Sequence, residues 1–185
     1  DTDPLTAQLA QCEHWTSFNV FEVAELTQGR PLAFVALAVF TKRDLFARAG
    51  IDRDVFINFA AQVETLYFNN PYHNSTHGAD VLQAAAALLR IFSNAQHPLC
   101  GGAQPVHGVV GKSTVGGVTA VEEAAVLIAA MCHDIGHPGT SNAFETMKTS
   151  MLCLLYKDTS VLENLHASLT LMLLSKPKFN ILRNM

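Results

Sequence analysis

Two short segments concentrate the side chains able to do acid–base or metal chemistry. They are Tyr72-His73-Asn74-Ser75-Thr76-His77-Gly78-Ala79-Asp80-Val81 and Cys132-His133-Asp134-Ile135-Gly136-His137-Pro138-Gly139. Between them they hold four of the chain's eight histidines. The spacing of His73 and His77 predicts that both lie on one face at the start of a helix, one turn apart. A metal ion takes neutral imidazole and is favoured by a carboxylate beside it, and the adjacent pair His133-Asp134 supplies both. That pair follows the apolar or small run Ala124 to Cys132, where a buried carboxylate is costly unless it is paired or bound to a cation. Gly136 and Pro138-Gly139 break the helix, so the pair stands at a helix end that opens toward a cleft. A lone histidine at a helix start is ordinarily a cap or a surface residue. With His77 on a second helix, however, the pattern His…His-Asp is what a dinuclear nitrogen-and-oxygen site requires. Metal ligation by His77, His133 and Asp134 is therefore expected. His14, His97 and His107 lie outside both segments and are assigned no role.

The elements that must position these residues read as helices nearly throughout, and the expected fold class is all-α. Pro31 to Phe40 reads as a buried helix with proline in its first turn, where the missing N–H costs nothing. Asp52 to Asn69 places Val55, Phe56, Phe59, Ala60, Val63, Leu66 and Tyr67 on one amphipathic face, and Pro71 interrupts it. Helical spacing resumes from about His73 to Phe92 in a run rich in Ala and Leu. Thr119-x-x-Glu122 is a capping box ahead of Ala124 to Cys132, and Ser160-x-x-Glu163 another ahead of a helix to about Leu174, which Pro177 ends. Residues 94–118 differ, with Gly101, Gly102, Gly108, Gly111, Gly116 and Gly117 beside Pro98 and Pro105, and read as a long flexible loop. Gly111-Lys112-Ser113 resembles the end of a phosphate-binding loop, but no glycine stands at Val106 and no buried strand precedes it.

Composition removes several classes of function. The chain of 185 residues suits one domain, and no internal repeat is evident. It is 49% apolar and 15% charged, against an ordinary charged fraction of about 25%, with a mean hydropathy of +0.21. The most apolar stretches, Pro31 to Phe40 and Ala120 to Cys132, are shorter than the ~20 residues of a membrane span, and no signal sequence is visible. The apolar excess is thus expected to be core, or surface that packs on further protein. A net charge of −4 without a basic cluster argues against nucleic-acid binding. Cys12, Cys100, Cys132 and Cys153 have no metal-binding or redox spacing and read as small hydrophobes of a reducing, cytoplasmic compartment.

Three motifs in order resemble the signature of the class I cyclic-nucleotide phosphodiesterases: Tyr72-His73-Asn74-x-x-His77-x-x-Asp80-Val81, then His133-Asp134-x-x-His137-Pro138-Gly139-x-x-Asn142, then Ser160-Val161-Leu162-Glu163-Asn164-x-His166. Trp15-x-x-Phe18-Asn19-Val20-Phe21 and Phe179-Asn180-Ile181-Leu182 are similar to the family's flanking segments. The resemblance covers nearly the whole chain apart from the glycine-rich loop. It implies that residues 1–185 form the N-terminal portion of one helical catalytic domain, which hydrolyses cAMP or cGMP to the 5′-monophosphate.

By that resemblance His77, His133 and Asp134 are direct metal ligands, with Asp134 bridging a tight Zn²⁺ site and a more hydrated site for Mg²⁺ or Mn²⁺. A hydroxide held between the two cations would be the nucleophile. His73 would be the general acid that protonates the leaving 3′-oxygen. His137 and Glu163 would orient waters on the metals, as would Asp80 and His166, although Asp80 could simply hold a neighbouring helix or ring. Asn142 is expected to fix the loop after Pro138-Gly139. Two positions depart from the family: Lys157 stands where asparagine is common and Leu165 where histidine is common. The family's further aspartate ligand, and the glutamine and phenylalanine that hold the purine, have no counterpart before Met185. The resemblance therefore implies no base recognition within this chain and leaves cAMP and cGMP as equal expectations. The segment alone is expected to be poorly soluble and inactive. Oligomeric state is not readable from it, and any membrane association would come from other regions. Two other readings stay open. Another phosphohydrolase of the His-Asp type, such as a nucleotidase, would not need Tyr72-His73-Asn74 or Leu162-Glu163-Asn164. A non-catalytic product that only binds a partner or metal would not need every visible catalytic residue.

Overall fold

The structure, a computed structural model, describes residues 3–93 and 118–185. Those residues form ten α-helices: α1 (Pro4–Ala10), α2 (Val20–Leu26), α3 (Pro31–Lys42), α4 (Leu45–Arg48), α5 (Arg53–Leu66), α6 (Ser75–Ser93), α7 (Ala120–Cys132), α8 (Asn142–Met147), α9 (Met151–Tyr156) and α10 (Val161–Leu174). A 3₁₀ turn, Pro177–Phe179, follows. The expected all-α fold is what is found. The glycine-rich stretch, with His97, His107 and Cys100, lies outside the described residues.

The helix starts follow from local chemistry. Pro31 opens α3 as expected, and the carboxylate of Glu64 reaches over from α5 to accept the N–H groups of Leu32 (3.3 Å) and Ala33 (2.8 Å). Those are two of the donors that a helix start leaves unsatisfied. Asp52 caps α5 through Asp54 and Val55. The Thr119–Glu122 capping box is present in both directions at α7. The Ser160–Glu163 box is not. Ser160 sits at φ 42° with no capping bond, because Asn142 of α8 takes over: its Oδ1 accepts from Leu162 N (2.9 Å) while its Nδ2 donates to the Glu163 carboxylate.

α3 packs on α5 and α6, and α6 packs on α7. Phe40, Phe46 and Phe56 meet where α3, α4 and α5 converge, with ring centroids 4.2 Å apart for Phe40–Phe56 and 5.4 Å for Phe46–Phe56. Gly78, Ala79, Leu82, Ala86 and Ala87 are buried on α6, and Ala120, Ala124, Leu127 and Met131 on α7. A buried ion network ties the far end of α7 to the rest, with Arg43 between Glu13 and Glu123, and Arg48 3.0 Å from Glu123.

Cys12, Cys132 and Cys153 are free and buried. Burial raises the Cys12 thiol to about 11 and the Cys132 thiol to about 12, which agrees with their reading as inert packing residues. Among the described residues no single helix is long and apolar enough to cross a membrane. Large apolar side chains are nonetheless exposed on the last three helices, including Met147, Met151, Leu154, Leu155, Leu171 and Met172.

The departure at Lys157 has a physical consequence. It ends α9 in the left-handed conformation, φ 53° and ψ 47°, which costs an ordinary side chain roughly 1–2 kcal/mol and asparagine less. Lys157→Asn is expected to raise stability by about 1 kcal/mol. The check is a higher urea midpoint with an unchanged slope.

Candidate metal centre

His77 occupies the first turn of α6, whose start is capped by Asn74: its Oδ1 accepts from Thr76 N (3.0 Å) and His77 N (3.1 Å). His133 is the residue that ends α7, and Asp134 follows it. These two helix ends bring together three donor atoms. His133 Nε2 lies 3.2 Å from His77 Nε2, His77 Nε2 lies 3.4 Å from Asp134 Oδ2, and His133 Nε2 lies 3.2 Å from the same oxygen. Neighbouring ligands of a tetrahedral cation bound at ~2.0–2.1 Å stand about 3.3–3.4 Å apart. The triangle already has that edge.

The chemistry of the donors fits a cation as well. His133 Nδ1–H donates to Ala130 O (2.9 Å), which leaves Nε2 as a lone pair aimed at His77 and Asp134. Asp134 is disfavoured by burial, but the hydrogen bond and charge of His133, with His137 and His166, outweigh that and hold its carboxyl at about 2. Burial and the neighbouring His133 push the His77 imidazole below its usual value. Burial disfavours a charged His133, but the hydrogen bond to Asp134 and the Ala130 carbonyl outweigh it and raise that imidazole above its usual value, so a divalent ion would replace a proton there beside the Asp134 anion.

On the other carboxylate oxygen, His166 Nε2 lies 3.7 Å from Asp134 Oδ1, while its Nδ1–H donates to Ile135 O (2.8 Å). His137 is buried beside it, and Asp134, His137 and His166 form a second group within reach of one ion. Gly139 N donates to His137 Nδ1 (3.0 Å), so a neutral His137 carries its proton on Nε2 and presents a donor there. Glu163 is exposed on the wall of an open cavity of about 450 Å³ that His133 and His166 also line. Asp80 is exposed and contributes a nearby negative charge to His77.

One expectation is corrected. His73 is not on the first turn of a helix, because α6 begins only at Ser75. The chain bends through Pro71 and Tyr72 first, and the His73 ring stacks on His137 at 3.7 Å with an interplanar angle of 4°, standing edge-on to His77 at 6.1 Å. Asn142, at the end of the loop after Pro138-Gly139, pins it to α10 through Leu162 N and the Glu163 carboxylate. The Pro138-Gly139 turn itself is held by Asn70, whose Nδ2 donates to His137 O, and by the Gly139–His137 bond.

Two residues at the site were not singled out from sequence. Tyr67 read as part of an apolar helical face, yet it lies past the end of α5 and uses its hydroxyl. Asn70 carried no signal beyond preceding a proline.

A protein-family model described as 3′5′-cyclic nucleotide phosphodiesterase matches residues 72–185. The chain is 34% identical over 186 residues to the high affinity cAMP-specific and IBMX-insensitive 3′,5′-cyclic phosphodiesterase 8 of Drosophila melanogaster, covering 100% of this chain and 18% of that protein. It is 35% identical over 184 residues to the 3′,5′-cyclic-AMP phosphodiesterase 4C of Mus musculus, covering 99% and 24%. It therefore spans about a fifth of the length of these curated relatives. Among solved structures, the phosphodiesterase domain of the Salpingoeca rosetta rhodopsin phosphodiesterase superposes with a TM-score of 0.68 at 28% identity, over 91% of this chain and 48% of that one. Sequence motifs, helical fold and the clustered His and Asp donors agree with these matches, and the chain belongs to the 3′,5′-cyclic nucleotide phosphodiesterase family.

Proposed function

We propose that this chain forms the N-terminal portion, with residues 94–118 as its glycine-rich loop, of one catalytic domain that hydrolyses 3′,5′-cyclic nucleotides to 5′-monophosphates. The observation that carries the reading is the donor triangle of His77, His133 and Asp134 with a further imidazole, His73, standing outside it. The exposed apolar side chains of α8, α9 and α10 support its being part of a larger folded unit. Relatives named as cAMP-specific support cAMP as the preferred substrate.

His77, His133 and Asp134 would hold the tighter ion, Zn²⁺, and Asp134 would also serve a second, Mg²⁺ or Mn²⁺. When bound, such ions activate water and neutralise charge on the phosphoryl oxygens. The chain's own residues then have separate roles. Asp134 carries the negative charge that fixes the ions. His137, with its proton on Nε2, and His166 and Glu163 orient water around them. Asp80 adds negative charge beside His77. His73, edge-on to the ligand His77, gives a proton to the 3′-oxygen as its bond to phosphorus breaks and the water oxygen bonds to phosphorus.

Full-length protein supplied with Mn²⁺ or Mg²⁺ is expected to hydrolyse cAMP faster than cGMP. Asp134→Ala should abolish hydrolysis of both, as should a chelator, and added Mn²⁺ should reverse the chelator alone. Folded, metal-loaded protein inactive on both nucleotides would overturn the reading. His73→Ala is expected to lower kcat by about 10²–10⁴-fold with Mn²⁺ affinity unchanged. An equal loss of metal affinity would instead make His73 a ligand.

A further inference from the structure

Resting on that reading, we infer that the connector from Leu66 to Asn70 is a clamp that sets the two histidine segments against each other, with Tyr67 positioning the ligand pair and Asn70 positioning His73. The segments are distant in sequence, and α6, residues 94–117 and α7 lie between them. Their relative placement within a few tenths of an ångström decides whether three donors meet one ion. The connector touches both.

Its contacts are spread along its length. Gly136 N donates to Leu66 O at 2.9 Å, anchoring the turn after Asp134 to the end of α5. The Tyr67 hydroxyl donates to Met131 O (3.2 Å) and accepts from Asp134 N (3.4 Å), so it grips the last turn of α7 on both sides of His133. Its ring lies against α6 at Gly78, next to His77: a Cβ built there would stand 2.9 Å from Tyr67 Cζ. One buried side chain therefore touches the helix carrying His77 and the helix end carrying His133 and Asp134. Burial drives the Tyr67 pKa upward, so the hydroxyl keeps its proton for Met131.

Asn70 does the same for the other pair. Its carboxamide nitrogen has two hydrogens and uses both, one on His73 O (3.1 Å) and one on His137 O (2.8 Å). These are the backbones of the two rings that stack at 3.7 Å. The Asn70 backbone carbonyl in turn accepts from Asn74 Nδ2 (2.9 Å), and Asn74 caps the helix that bears His77. No ordinary side chain of this size except an amide presents two hydrogens from one atom between two carbonyls. Aspartate, of the same shape, would place oxygen against both.

The two positions give separable effects in full-length protein. Tyr67→Phe keeps the ring and removes the grip on Asp134 N and Met131 O. Its affinity for Mn²⁺, measured by competition with a chromophoric chelator, is expected to fall about ten-fold or more, the ordinary consequence of losing a group that orients metal ligands. Asn70→Asp is expected to lower kcat about ten-fold or more and displace the pH profile, with KM and Mn²⁺ affinity within about two-fold of the parent, since proton transfer depends on placement. Asn70→Ala, which removes both donors without adding charge, should change the same quantities in the same direction. Phe56→Ala is the control: a core truncation away from the site that costs stability and should leave Mn²⁺ affinity and the kcat/KM split unchanged. If Tyr67→Phe and both Asn70 variants behave like Phe56→Ala, the clamp is wrong. Mn²⁺ binding separates this from the function itself. A parent that binds Mn²⁺ but cleaves neither nucleotide sinks the proposed function, and a ten-fold weaker Tyr67→Phe would still sustain the clamp.

Discussion

A carboxylate at the end of an apolar helix constrains everything around it. Asp134 follows a helix whose body is Ala, Val, Leu, Ile and Met, and its side chain is only 15% exposed. Desolvating an anion there is unfavourable unless positive charge or donors return what water gave. The fold answers with imidazoles from three directions, His77 and His133 at one oxygen and His166 at the other. Imidazoles at such short separations cannot all be protonated, since each added proton repels the next. An anion ringed by imidazoles that cannot all carry protons suits a cation, and the charge of Asp134 accounts for the histidines gathered around it.

Meeting that requirement is mainly a matter of how closely two helices approach. The rings of His77 and His133 have centroids 5.0 Å apart, although their residues belong to different helices. Gly78 makes room for Tyr67 and Leu32 against the first turn of α6, where a Cβ would stand 2.9 Å from Tyr67 Cζ. The bulk needed for stability is placed elsewhere, in the phenylalanine cluster where α3, α4 and α5 meet. Aromatic volume fills the core away from the site, and small residues lie beneath it. The ion network of Arg43, Glu13 and Glu123 then holds α7 from behind.

How much of this was legible in the sequence depended on whether a feature is decided locally. The proline at α3, the Thr119–Glu122 box and the C-terminal end of α10 are decided within one turn of chain, and they are found as read. The cluster of donors was legible because metal binding demands particular side-chain types, and the structure brings His77, His133 and Asp134 together. The Ser160–Glu163 box failed because Asn142 of another helix accepts from Leu162 N and donates to the Glu163 carboxylate in its place. The stack of His73 on His137 was hidden because it depends on a bend after Pro71 and on Gly136 at φ 73°, two backbone events in separate segments. Tyr67 was misread for a related reason: hydrophobic periodicity counts its ring and ignores its hydroxyl.

These outcomes change what the motifs mean. Tyr72-His73-Asn74 and Leu162-Glu163-Asn164 set this chain apart from a generic His-Asp phosphohydrolase, and a motif invites the view that each letter does chemistry. Here the letters divide. Asn74 caps α6 and returns a hydrogen bond to Asn70. Asn164 donates to Thr159 O and Ser160 O, closing the turn that starts α10 in a left-handed conformation. Glu163 accepts from Asn142, which holds its carboxylate at the cavity wall with lone pairs to spare. A motif of this kind is a geometric specification in which one or two residues react and the others hold a helix start at a fixed distance from a distant partner. Residues outside it, such as Tyr67 and Asn70, can carry as much of that specification as residues within it, because the distances that matter run between segments.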